Sequence, residues 1–343
     1  MSGEPVTPDT PAAFQAFRIH NDSQGYRARI ESLVIDDLNA GEVTVKTAYS
    51  SVNFKDALAG TGKGKILRQF PLIGGIDIAG HVISSRDSRF REGDAVLVTG
   101  CGLSETRDGG YSQIQRLDAN WVVPLPTGLT LREAMALGTA GFTAGLSLWR
   151  MLANGQRPEM GPVVVTGATG GVGSLAIDLF TVAGFEMHAI TGKIEQFDFL
   201  KEIGARQCVA RAGLSFGGRP LEAASWSGAV DNVGGEMLDM LTRVIQPWGN
   251  IASCGMAGGS ELHTTVMPFI IRGISLLGIN SANTPYPLRA QIWQRLASDW
   301  KPKHLDLIAA KEITLDQLDD SFATMLAGGA LGRTVVRLSR AAD

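Results

Sequence analysis

The chain has 343 residues, 44% of them hydrophobic, which is enough for two domains with apolar cores. Its 31 Lys and Arg against 34 Asp and Glu give no basic footprint, so no nucleic-acid partner is expected. Cys101, Cys208 and Cys254 are far apart, without zinc-ligand spacing or a paired disulfide framework, and point to a reducing compartment. Residues 1–13 read as a loose polar tail rather than a signal peptide. No apolar run is long enough to span a bilayer, so a cytoplasmic protein with no membrane partner is expected.

Residues 42–49 alternate in polarity and predict a half-buried strand. Residues 93–98 read as a turn feeding a strand, and residues 121–126 as a short strand stopped by proline. At Thr130 the pattern turns helical: Thr130 can cap, and Glu133 stands three residues on. Residues 138–145 (GTAGFTAG) would allow close approach of a backbone or a cofactor.

The next segment, VVVTGATGGVG over 163–173, carries the most information. It reads as a buried strand, a glycine turn and an apolar helix, and a second strand follows at 186–191. Glycines let a backbone approach a pyrophosphate, and a helix N-terminus favours its charge. The residues assigned to this turn are Thr169, Gly170, Gly171, Val172 and Gly173. A site for NAD usually places an acid about 20 residues beyond the glycines, on the ribose 2′-hydroxyl. Here Thr191, Gly192 and Lys193 stand at that strand end, and Lys193 can neutralise a 2′-phosphate, so NADP(H) is favoured.

Beyond the turn, strands are predicted at 163–166, 186–191, 207–210, 228–231, 249–253 and 275–279. Helices are predicted at 172–183, 195–203, 235–245, 264–272 and 287–298. Such alternation predicts an α/β, doubly wound parallel sheet. A last strand at 334–338 is expected to rejoin the first domain. The resulting division is a tail at 1–13, a β-rich domain from 14–135 with 305–343, and a nucleotide-binding domain at 136–304.

This arrangement resembles the medium-chain dehydrogenase/reductase superfamily, with a GroES-like β-rich catalytic domain and a Rossmann domain. Residues 52–59 (VNFKDALA), 62–65 (GKGK), Phe70-Pro71 with 75–77 (GID), 138–144 and 265–270 (TVMPFI) resemble its acrylyl-CoA reductase branch, near the quinone oxidoreductases. The resemblance implies NADPH-dependent reduction of the double bond of acryloyl-CoA to propanoyl-CoA, by hydride transfer to the β-carbon. Zinc members carry a ligand Cys near Asn53 and Gly-His-Glu where Gly75-Ile76-Asp77 stands, so no metal is expected.

The same resemblance assigns cofactor contacts to Phe54, Thr139, Arg211, Met256, Ile270, Ser281 and Gly328, besides the turn and the 191–193 segment. Relatives commonly have Tyr at Phe54, Arg at Lys193 and, in some, a polar residue at Gly328. It places Asn53, Lys55 and Asp56 beside the nicotinamide. Asn53 can donate to a carbonyl or fix the carboxamide, whereas Lys55 and Asp56 can instead pair with each other. Tyr111 is a further proton-donor candidate, or a packing residue. Lys63, Lys65 and Arg68 are candidates for the CoA phosphates, with Arg272 and Arg289 as other options.

Two other functions stay open: a quinone or enone reductase, and a non-catalytic NADPH-binding regulatory protein. A homodimer is expected, because residues 275–279 would form an apolar edge strand that needs covering.

Overall fold

The structure, a computed structural model, describes residues 11–215 and 217–339. Residues 1–10 of the expected tail therefore lie outside the described residues. The chain divides into two units, one from residues up to Thr139 with Ala282–Ala290 and Ala309 onward, the other from Ala140–Ser281 with Gln291–Ile308.

The first unit opens with β1 (Phe14–Asp22), paired antiparallel with β2 (Gly25–Leu33). β3 (Val43–Val52) is followed by α1 (Phe54–Thr61), the short β4 (Leu72–Ile73) and β5 (Asp77–Ser85). β6 (Ala95–Thr99), β7 (Ile114–Leu117) and β8 (Val123–Pro124) complete the run. The segment expected as a strand at 121–126 keeps only two strand residues, which pair with Val96 and Leu97.

β3 departs from the half-buried expectation. It is a central strand, flanked by β5 and β7, and nearly all of it is buried. Thr44, Thr47, Ser50 and Ser51 are buried too, and the Ser50 hydroxyl donates to the Asp77 carbonyl at 2.7 Å. Alternation in a central strand marks two kinds of interior, one apolar and one hydrogen-bonded.

α2 (Leu131–Ala153) starts as the sequence predicts. The Thr130 N–H donates to Glu133 at 2.8 Å and the Glu133 N–H to the Thr130 hydroxyl at 3.1 Å, a reciprocal capping box. Gly138 interrupts α2 at φ 50°, ψ −155°, a conformation that only glycine adopts without strain.

The second unit alternates as expected: β9 (Val163–Thr166), α3 (Gly171–Val182), β10 (Met187–Thr191), α4 (Phe197–Glu202), β11 (Ala205–Ala210) and β12 (Trp226–Asp231). α5 (Gly235–Val244), β13 (Ile245–Ser253), α6 (Met267–Arg272), β14 (Ser275–Gly278), α7 (Tyr286–Leu296), of which only the residues from Gln291 belong to this unit, and α8 (Leu305–Ile308) follow. Among the described residues its sheet runs β11-β10-β9-β12-β13-β14, every pairing parallel. β9 lies inside this sheet and is wholly buried, which is why it opens with three consecutive valines before Thr166. The helix predicted over 264–272 begins only at Met267, where Pro268 suits a first turn.

The chain then returns to the first unit with β15 (Lys311–Ile313), α9 (Leu318–Leu326) and β16 (Thr334–Arg337). β16 pairs antiparallel with β3, and the larger sheet runs β15-β16-β3-β5-β6-β8 with β7 on β3. α9 packs on α1, with Phe322 filling the space over Gly60.

Three boundaries differ from the sequence reading: residues 136–139 fall in the first unit rather than the nucleotide-binding domain, and two later segments change sides. Ala282–Ala290, expected with the nucleotide-binding domain, packs with the first unit: the Ala282 carbonyl accepts from the Cys101 N–H at 3.1 Å, and Arg289 donates to the Thr99 carbonyl at 2.7 Å. Leu305–Ile308 instead stay with the second unit, because Asp178 accepts from the Lys303 and His304 N–H groups at 3.2 and 2.7 Å.

Candidate active site

In the second unit, β9 ends in a turn with Gly167 at φ 59°, and Gly170 precedes α3 as N-cap without any side-chain cap. The first N–H groups of α3 therefore keep their donor capacity for an anion. Gly173 allows α3 to press onto the strand end: a Cβ there would lie 2.4 Å from the Gly167 carbonyl oxygen. Thr169 is buried, and its hydroxyl lies 3.3 Å from that of Thr191, tying the turn to the end of β10. Val172 and Gly171 open the helix.

Past β10, the Lys193 N–H donates to the Thr191 hydroxyl at 3.1 Å. Partial burial lowers the Lys193 pKa, while Glu195 opposes that shift. Arg211 follows β11, and a Cβ on Gly192 would lie 3.2 Å from its guanidinium. The structure thus brings Gly192 and Arg211 together at the strand ends where a 2′-phosphate is expected.

Between the ends of β12 and β13 is a cavity of about 320 Å³, lined by residues that include Gly234, Leu238, Cys254, Met256, Glu261 and Ile279. Met256 is therefore a lining residue; Ile270 and Ser281, grouped with it by sequence, are absent from that lining. Ile270 is 76% exposed on α6. Sequence reading missed Asp231, buried at the end of β12, which accepts from Thr166 at 2.7 Å and from the Gly234 N–H at 2.9 Å. Burial pushes its carboxyl up.

In the first unit, Asn53 precedes α1 and is engaged at both ends of its amide. It donates to Asp77 at 2.8 Å and to Asp56 at 3.1 Å, and its oxygen accepts from Arg333 at 3.1 Å. The expected donation from Asn53 to a ligand is therefore corrected: the amide is committed within the protein. Asp56 is buried and accepts from the Asn53 and Ile76 N–H groups at 2.8 and 3.0 Å. Burial, then the neighbouring Asp77, push its carboxyl up to about 7.

Lys55 does not pair with Asp56, because successive helical residues face different directions. It pairs with Glu105 and stays partly exposed. Phe54 is 48% exposed. Tyr111 is corrected from proton donor to packing residue. It is fully buried, its ring meets Phe17 edge-on, its hydroxyl donates to the Ser51 carbonyl at 3.1 Å, and burial raises its pKa far above the usual range.

Thr139 donates to Asp77 from its N–H at 3.0 Å and from its hydroxyl at 2.6 Å. Gly328, at φ 76°, lies past α9, and an added Cβ there would meet nothing within 4 Å. Lys63, Lys65 and Arg68 are all exposed in the segment after α1. The two other arginines are not free for a substrate phosphate. Arg272 donates to the carbonyls of Arg243 at 2.7 Å and Ile245 at 3.1 Å, and also to that of Glu222. Arg289 is 2% exposed and donates to Thr99 and Ala282.

Asp77 and Arg333 were not read as site residues. Their side chains are almost fully buried, 3.8 Å apart. A zinc ion does not fit this donor set. Asn53 and Ile76 supply neither thiolate nor imidazole, the Asp77 oxygens already accept from Asn53, Ser51 and Thr139, and a guanidinium cation stands beside them. Among the described residues no group of three or more His, Cys, Asp or Glu is placed to hold a metal.

Two family models match the chain: the alcohol dehydrogenase GroES-like domain over residues 39–127 and the zinc-binding dehydrogenase domain over 171–298. The chain belongs to the medium-chain dehydrogenase/reductase superfamily, in its acrylyl-CoA reductase branch. The protein YhfP of Bacillus subtilis, described as a quinone oxidoreductase, is 44% identical over 95% of this chain and 99% of its own. Acrylyl-CoA reductase AcuI of Ruegeria pomeroyi is 43% identical over 94% and 98%. Among solved structures, YhdH of Escherichia coli K-12 with bound NADPH matches with TM-score 0.91 at 42% identity, covering 95% of this chain and 100% of that one. YhfP with NAD bound matches with TM-score 0.92 at 42% identity, covering 96% and 100%.

Proposed function

We propose that this protein reduces the carbon–carbon double bond of acryloyl-CoA to give propanoyl-CoA, using NADPH. The observation that carries the reading is the juxtaposition of Gly192 and Arg211, beside Lys193, at the strand ends past an uncapped glycine turn. It supports a cofactor bearing a 2′-phosphate, and the likeness to AcuI supports the substrate.

NADPH, when bound, would supply the hydride that the β-carbon accepts, and a proton from solvent would complete the α-carbon, leaving NADP+ and propanoyl-CoA. The chain's own residues have the remaining work. Gly171, Val172 and Gly173 hold the pyrophosphate through N–H groups at the start of α3, while Thr169 and Gly170 shape the turn before it, the Gly170 N–H donating to the Gly167 carbonyl at 3.0 Å. Lys193 and Arg211 hold the 2′-phosphate, the guanidinium by a planar fork and the ammonium as a point charge. Lys63, Lys65 and Arg68 meet the CoA phosphates from an exposed segment. Of the residues put forward for catalysis, Lys55 keeps a partly exposed charge, and we assign it to the thioester oxygen, where negative charge develops.

The protein acts without zinc, in the cytoplasm. It works as a homodimer joined at the β14 edge, beside which Trp248, Val266, Ile270 and Ile271 are exposed.

NADPH deuterated at the transferred position tests the chemistry. Mass spectrometry should find one deuterium on the β-carbon of propanoyl-CoA. Deuterium elsewhere, or no propanoyl-CoA, contradicts the reading. A quinone reductase is the second reading, favoured by the likeness to YhfP, and it predicts turnover with quinone and none with acryloyl-CoA.

A further inference from the structure

The first unit holds a buried charge cluster that the proposed reaction does not yet use. Arg333, just before β16, is 3% exposed. It donates to the carbonyls of Ala136 and Val52 at 3.1 and 2.9 Å, to the Asn53 amide oxygen at 3.1 Å, and to the Ser51 hydroxyl at 2.7 Å. One guanidinium therefore ties together the end of β3, the residue before α1 and the part of α2 that precedes Gly138.

Asp77 is fully buried and takes donations from two of the same residues, Asn53 at 2.8 Å and Ser51, and from the Thr139 N–H and hydroxyl on the other side of Gly138. The break at Gly138 makes this possible. Its positive φ turns the Thr139 N–H onto Asp77, and a Cβ at Gly138 would come within 2.6 Å of an Asp77 oxygen and 2.7 Å of an Arg333 nitrogen. No side chain larger than glycine fits there.

A buried ion pair contributes little net stability, because desolvation offsets the attraction. Fixing geometry is the better-attested use of such a pair. We propose that Asp77 and Arg333 are positioning residues for the reduction: they hold Asn53, Thr139 and the first turn of α1 so that Phe54 and Lys55 keep a fixed aim. The proposal rests on the function proposed above.

Three variants test it: Arg333→Lys, which keeps the charge and loses the fork; Arg333→Gln; and Asp77→Asn combined with Arg333→Gln, which removes both partners of the ion pair together. For each, the melting temperature, the NADPH dissociation constant by fluorescence, and kcat and KM for acryloyl-CoA and for a quinone are measured. The expected result is a folded Arg333→Lys and a folded double variant in which kcat falls about 100-fold, the scale of a misplacement near 1 Å, and NADPH affinity, which Thr139 and Phe54 serve, falls by less. Arg333→Lys should retain more kcat than Arg333→Gln.

Folded variants with kcat within about threefold of wild type overturn the proposal, and so does failure of every variant to fold, which would assign the cluster to stability alone. A wild type that reduces neither acceptor removes the reaction itself, so the function reading and this proposal fall together. An active wild type with unimpaired variants removes only this proposal.

Discussion

Asp56 shows how residue type can be legible while role is not. From sequence, Asp56 reads as a catalytic residue beside the nicotinamide or as a partner of Lys55. The fold decides by burying it between N–H donors and facing it with Asp77, Arg333 and Tyr111. Its carboxyl is pushed up to about 7, against about 3.9 in an unfolded chain. The folded state therefore binds this proton more tightly. As pH rises from about 4 to about 7 the unfolded chain loses the proton first, so the group's contribution to stability falls across that window. Asp56→Asn should flatten the decline of melting temperature over that range. Parallel curves for variant and wild type would contradict the assignment. In the second unit, Lys193→Ala with Arg211→Ala should weaken NADPH binding about 10- to 100-fold, the worth of losing charged hydrogen bonds. NADH binding, measured by titration beside it, should change by less than about threefold. Equal losses for both cofactors would remove the 2′-phosphate role.

Elements differed in legibility for physical reasons. β9 was readable because a parallel strand buried on both faces is a nearly continuous apolar run, and glycine marks the turn between β9 and α3. β3 was harder, since its buried serines and threonines imitate a solvent-facing pattern. The Asp77–Arg333 cluster was invisible, because β5 and the entry to β16 are far apart in the chain and only the sheet brings them together. Arg272 and Arg289 misled in the opposite sense: a sequence cannot show that a guanidinium is spent on backbone carbonyls. The packing of α1 on α9 gives a prediction at this scale. In an open helix Gly→Ala is stabilising by about 1 kcal/mol. At Gly60 the new Cβ would come within 2.4 Å of the Phe322 ring. Gly60→Ala should therefore destabilise by about 1–3 kcal/mol of overpacking, and Phe322→Leu should recover part of it, read from denaturant melts. A raised stability for Gly60→Ala alone would contradict this packing.

At the scale of the whole molecule, the sheet of the second unit leaves β14 at an edge among the described residues, with exposed Trp248 close over Gly273 and exposed Ile270 and Ile271 on α6. Light scattering at micromolar concentration should give the mass of a dimer. Trp248→Glu with Ile271→Glu should shift it to monomer, whereas a monomeric wild type would remove the proposed dimer. The proposed chemistry has a more direct test. NADPH absorbance is followed with acryloyl-CoA, crotonyl-CoA, free acrylate and a quinone in parallel. The account predicts fast turnover with acryloyl-CoA and little with free acrylate or quinone. Turnover confined to quinone, or tight NADPH binding with no turnover on any acceptor, would contradict it.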